Sequence, residues 1–344
     1  MIDESRPREK LQAIFLFSVT AVLLFVLLYP PSIRAVTLLT ILNVLILNPV
    51  IHLLESKKIP RIWSILLLYA FLSLFFLFGV TRLIQVISFQ WSGFIDSLPS
   101  LNESVMTKVE EIESHLKENL GVELDFATYL SINQWLGQIR SWALTHIPAI
   151  LGSLASAALL VPVFSFFVLK DGDKFMRLYL QLIPKRFSRT AASVIGKITT
   201  ALGTFLRAKL FEAALFGLMT YLGMIVLKAP YPGLFALIGG LLNFIPYLGP
   251  FLGAAPPLLI FAFSSNHQHL FWPAVFLLLI VNLIDNFVIF PIFVARIVNL
   301  TPLTLLLSVA VGQEIYGVAG MLLAVPLASI CKIIYLEVHP LLYK

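Results

Sequence analysis

The sequence predicts an all-α polytopic membrane protein of about eight membrane segments, one or two of them broken or re-entrant, with a small extracytoplasmic helical cap. Three observations carry that prediction. First, 59% of the 344 residues are hydrophobic and only 12% are charged, against about 25% charged in an average globular chain. So few charges cannot cover a water-soluble surface of this size. Second, long stretches hold no Asp, Glu, Lys or Arg, which is what a helix crossing ~30 Å of hydrocarbon needs. Third, Pro and Gly interrupt two of the C-terminal apolar runs, where a helix has to break.

Residues 1–88 carry the charge-free runs 11–33, 35–54 and 62–81, read as spans one to three. The first run is too long for a secretory signal core and lacks a small-residue cleavage site, so it is expected to stay as a span. Residues 89–140 form an extracytoplasmic helical segment. Val105, Val109, Ile112, Leu116 and Leu120 recur at steps of three and four, with Glu110, Glu111, Glu113 and Lys117 opposite, the pattern of an amphipathic helix closed by Gly121. Ile132, Trp135, Leu136, Ile139 and Trp142 make a second stripe that leads into the fourth span, 141–169.

Residues 170–209 are a cytoplasmic basic amphipathic segment, with nine Lys or Arg against Asp171 and Asp173. Such a helix suits the anionic inner leaflet. Lys and Arg counts in the loops orient the whole: basic residues before 11, around 55–61 and over 170–209 stay inside, and the acidic 89–140 segment lies outside. Residues 210–344 form the C-terminal transport core, with breaks near 245–250 and 312–320.

The first break is Ile245-Pro246-Tyr247-Leu248-Gly249-Pro250. Unwound backbone at membrane depth is tolerated only within protein or along a water-filled cavity, where its amides and carbonyls meet a solute. Asn243, Pro246, Tyr247 and Gly249 are therefore candidate pathway residues. The second break places Gln313 and Glu314 among Gly312, Gly317 and Gly320. Asp285, Asn286 and Arg296 complete the candidate set, because an ionisable group inside an apolar span is costly and faces a cavity or a partner. A salt bridge of Arg296 with either acid is the plain structural reading. For Glu212 it is an interfacial pairing with Arg207 and Lys209. Gly249-x-x-x-Gly253 reads first as a helix-packing word.

Enzyme signatures are missing. The chain has no HExxH and no Gly-x-Ser-x-Gly, and Gly196-Lys197 lacks the glycines and the Ser or Thr of a phosphate loop. His267 and His269 are expected in a loop without a nearby acid, and the lone Cys331 permits no internal disulfide and no Cys-based metal site. The chain is therefore expected to be no enzyme, to carry no cofactor or metal and to bind no nucleic acid. Its partners are membrane lipids and a small molecule or ion moved without ATP. Cation–proton antiport, with Asp285 and Glu314 as ion sites, is an alternative reading; a membrane scaffold that moves nothing is another.

Several words together resemble the autoinducer-2 exporter family. Phe166-Phe167-Val168-Leu169-Lys170-Asp171-Gly172 is similar to the motif ending its fourth span, and Leu242 to Pro250 to its Ile-Pro-Tyr signature, followed by Gly253-Ala254-Ala255-Pro256. Asp285-Asn286 through Pro291, Asn299 to Leu303, Gly312 to Gly320 and Ala324 to Ala328 follow in the family's order, and Asn48-Pro49 with Ile59-Pro60-Arg61 fit its early loop. One departure is Arg207-Ala208-Lys209, where the family often has Arg-Gly-Gln. The resemblance implies a multi-pass exporter of the bacterial cytoplasmic (inner) membrane that works as a homo-oligomer, with a signalling furanone, sodium–proton exchange or another solute as its business.

Overall fold

A computed structural model describes residues 31–120, 132–245, 248–264, 266–295 and 300–342. Most of the first apolar run, together with Pro246, Tyr247 and Arg296, lies outside the described residues. Those described are almost entirely helical, with no strand among them. The helices are α1 (Pro31–Ser56), α2 (Arg61–Phe75), α3 (Thr81–Leu120), α4 (Ile132–Leu182), α5 (Lys185–Val226), α6 (Pro232–Leu242), α7 (Leu248–Phe263), α8 (Phe271–Ile284) and α9 (Pro302–Leu342). Wider π turns join α2 to α3 over Phe76–Val80 and extend α8 over Asp285–Ile289 and Pro291–Ala295.

Among the described residues, four stretches are long and apolar enough to cross a bilayer: Ala35–Ser56, Arg61–Gly79, Phe187–Val226 and Gln268–Phe293. Large apolar side chains such as Phe71, Phe251, Trp272 and Phe287 are exposed on them and their neighbours. A surface of that kind belongs in lipid, and the chain is a multi-pass membrane protein. Helix α4, with 51 residues, is about 75 Å long at ~1.5 Å per residue, so it projects well beyond a ~30 Å hydrocarbon layer. The basic stretch after Lys185 and the apolar run after Glu212 form one unbroken helix, α5, because no Pro lies between them and the opposite charges of Lys209 and Glu212 sit one turn apart on it.

The chain divides into two compact units. One holds Met1–Phe75, Ser153–Ala208 and Val294–Lys344. Its core joins Leu47, Ile51, Ile65 and Leu169. Arg61 ties two of the sequence words together: its Nε donates to the Leu169 carbonyl at 2.7 Å and its Nη1 to Asp173 at 2.6 Å. Arg207 donates to the Leu45 carbonyl at 2.8 Å. In the same unit α9 folds back on itself. A Cβ on Gly312 would lie 2.4 Å from the Gly320 carbonyl and 3.1 Å from Ala324, whereas residues eight apart in a straight helix are separated by about 12 Å. The reversal is made at Gly317, whose φ of 59° is left-handed. Beyond the apolar stretch, Glu337 accepts from Lys197 and from Ser193. The hydrogen bond from Lys197 holds its carboxyl below the usual range.

The other unit holds Phe76–Gly152 and Lys209–Phe293. Met224, Phe235, Phe261, Ala274 and Leu278 form its core. Helices α6 and α7, of 11 and 16 residues, are about 16 and 24 Å long and too short to span alone. Helix α3 secures both. Gln90 accepts from the Leu234 amide at 2.8 Å, one of the donors an α-helix leaves open at its start. Tyr231 donates to the Gly93 carbonyl at 2.8 Å. Lys108 donates to the Ala262 carbonyl at 2.9 Å, placing a positive charge at the C-terminal end of α7.

Candidate functional site

Three elements of the second unit converge on one buried polar cluster. Lys209 and Glu212 lie one turn apart on α5 and are joined at 2.9 Å, with side chains 4% and 2% exposed. Asp285 opens the π turn after α8 and is buried, as is Asn243 at the end of α6. Asp285 lies within electrostatic range of both Lys209 and Glu212, and beside Asn243.

Glycines make the approach possible. A Cβ on Gly240 would stand 3.0 Å from the Ala213 carbonyl, and one on Gly217 3.1 Å from the Ala236 carbonyl. Helix α6 therefore runs antiparallel and close against α5, which brings Asn243 level with the Lys209 turn. Gly253 meets the Cα of Gly239 in the same way, bringing α7 in. Between α6 and α7 the chain turns sharply: the amides of Asn243 and Ile245 close on the Gly239 and Leu242 carbonyls at 2.9 Å. A Cβ on Gly249 would fall 2.1 Å from the Leu242 carbonyl. Only glycine fits there, so Gly249 is a packing requirement of the turn.

The cluster is not closed upon itself. Glu212 Oε2, Asp285 Oδ1 and Asn243 Nδ2 are buried and make no hydrogen bond. Each such atom costs about 1–3 kcal/mol, and a buried charge several more. A fold gains nothing in stability from three orphaned atoms around an ion pair; the arrangement suits an occupant that supplies the missing partners.

Asn243 and Asp285 thus come together. Asn286 does not join them: it is exposed and its amide donates back to Asn282 at 2.9 Å. Gln313 and Glu314 belong to the other unit and are exposed on the α9 hairpin. The burial expected for Glu314 from its apolar neighbours is absent, because the reversal at Gly317 buries Gly320, Met321, Ala324 and Val325 instead. Pro246, Tyr247 and Arg296 lie outside the described residues. Lys209 and Glu212 were not among the candidates. The signal was legible: opposite charges at i and i+3 beginning an apolar run, which on a helix face each other. Their burial was not, since it depends on the glycines of α6. His267 hydrogen-bonds Ser264 at 3.1 Å, and no group of three His, Cys, Asp or Glu that could hold a metal occurs among the described residues.

A sequence profile described as "AI-2E family transporter" matches residues 14–339. The chain is 27% identical over 300 residues to YueF of Bacillus subtilis (strain 168), covering 85% of this chain and 80% of that one. It is 25% identical over 295 residues to YrrI of the same organism, with 85% and 82% covered. It is also 24% identical over 306 residues to the AI-2 transport protein TqsA of Escherichia coli (strain K12), covering 86% and 83%.

Proposed function

We propose, because the chain belongs to the AI-2E family of transporters, that it exports a small polar solute across the bacterial cytoplasmic membrane by alternating access without ATP. The observation that carries this reading is the buried, incompletely paired Lys209–Glu212–Asn243–Asp285 cluster at the end of a half-length helix. Transporters place their sites at such discontinuities. The name of the Escherichia coli relative supports a solute of the autoinducer-2 class.

In this reading the chain crosses the membrane with about eight segments, the 89–140 segment caps the outer face, and the 170–209 stretch stays inside. The α6–α7 hairpin and the α9 hairpin line the path and move. Pro246, Tyr247 and the freed backbone beside Gly249 meet the solute, with Asn286, Arg296, Gln313 and Glu314 along its way. Lipids surround a homo-oligomer.

The burial of Asp285 near Glu212 favours a second reading, cation–proton antiport, since paired acids within a membrane are a frequent ion site. Flux of autoinducer-2 and of sodium from proteoliposomes, with and without an imposed proton gradient, separates the two. Solute efflux supports the first and sodium–proton exchange alone the second. No flux of either kind leaves a scaffold. Reporters fused near Glu111 and near Arg186 are expected outside and inside respectively, and the reverse for either overturns the orientation.

A further inference from the structure

The cluster's charges do not cancel. Lys209 contributes one positive charge, and Glu212 and Asp285 two negative ones. The groups that face Asp285 are Lys209 and Glu212 from α5 and Asn243 from the end of α6. The ammonium of Lys209 is engaged by Glu212 Oε1, so the uncompensated charge sits with Asp285. All four residues are buried, and an uncompensated charge in such surroundings is costly.

We propose that this cluster binds one exchangeable monovalent cation, a proton or an alkali ion, against the Asp285 carboxylate. The two orphaned oxygens, Glu212 Oε2 and Asp285 Oδ1, supply the ligand atoms. Asn243, beside Asp285 at the end of α6, borders the ion's place. One positive charge closes the count; a divalent ion overshoots it. Lys209 acts as a resident cation, a point charge on a flexible stem. Its presence makes the site take one ion, where the two carboxylates alone would take two.

The proposal deepens the transport reading and rests on it for the use made of the ion. The test needs no solute. Thermal unfolding of the purified full-length protein is followed while NaCl or KCl replaces choline chloride at constant ionic strength and pH, and separately while pH is varied in choline chloride. Wild type is expected to gain Tm with an alkali ion, or with protons, and the arm that responds identifies the cation. Asp285→Asn is expected to lose that response. If Asp285→Asn does not fold, Glu212→Gln is used, since it also removes one negative charge. Lys209→Gln is expected to respond with about twice the slope against log cation activity, as two bound ions require. Equal responses in wild type and in whichever charge-removing variant folds overturn the site. A wild type that transports but shows no ion response removes the site and leaves transport standing; an ion response in wild type without flux removes the transport reading.

Discussion

The α6–α7 hairpin and the hairpin within α9 both turn an apolar chain back on itself, and they do so by different means. The first ends one helix at Leu242, starts the next at Leu248 and closes on Gly249, against which the Leu242 carbonyl rests. The second turns at the left-handed Gly317 and closes where Gly312 meets Gly320. They also treat their polar residues oppositely. Asn243 is buried at the first turn among charged neighbours, whereas Gln313 and Glu314 are exposed at the second. A carboxylate surrounded by apolar sequence is therefore not buried by that sequence. The face its turn presents decides, and the small residues that close the turn decide the face.

The comparison can be broken most forcefully at Lys209. Lys209→Met strips the counter-charge from the first hairpin's lining and is expected to destabilise the protein by about 3–5 kcal/mol, read as Tm in detergent, with partial rescue by added alkali ion or acid. An unchanged Tm would mean that the lining carries no buried charge. The hairpin closures come next. Gly249→Ala and Gly312→Ala each push a Cβ into a carbonyl, and each is expected to cost about 3 kcal/mol; two similar losses would make the turns mechanically equivalent despite their different backbones. Gly317→Ala tests the left-handed turn alone and is expected to cost about 1–2 kcal/mol, with Gly317→Asn better tolerated.

Glu314→Gln sharpens the contrast in polar treatment. It is expected to shift stability by no more than about 0.5 kcal/mol, as exposed substitutions do, while gradient-driven flux in proteoliposomes falls to background. Retained flux would remove Glu314 from the path. The smallest effect is expected at Glu337→Gln. The Lys197 hydrogen bond lowers the folded carboxyl below its unfolded range, so wild type binds fewer protons folded than unfolded. Its small advantage over the variant is full above about pH 4.3 and disappears as pH falls through the lowered folded value, a difference of slopes measurable in Tm against pH.

Sequence reading reached the fold class because charge-free runs and helical periodicity are local properties of the chain. It also expected breaks near 245–250 and 312–320, since proline and glycine act on their own backbone; one helix ends at Leu242 and the next begins at Leu248, and Gly317 is left-handed. It brought Asp285 forward from the cost of an ionisable group in an apolar span and Asn243 from its place beside the chain break, and the structure buries both. It left Lys209 and Glu212 out of the candidate set, reading Glu212 as an interfacial partner of Arg207 and Lys209. Their burial depends on Gly217 of the same helix meeting Gly240 of α6, a pairing of two helices that admits α6 to contact. The same reasoning sent Glu314 inside, where the tertiary turn at Gly317 leaves it outside. What was illegible in each case was a close approach between helices, which no local pattern records.

The bond from Lys108 to the Ala262 carbonyl joins residues 154 positions apart, and that separation has a consequence for how the protein is made. At ~5–20 residues per second, roughly 8–30 s pass between synthesis of the lysine and of its acceptor. When α7 finally emerges it is too short to cross the bilayer and ends in bare carbonyls. The lysine is by then long synthesised, so the older segment waits for the younger one that it latches in the finished fold. The order of synthesis is thereby written into the final contact: a nascent chain halted before Ala262 would hold an unlatched lysine, and one released past Phe263 would seal its late hairpin onto a platform finished long before.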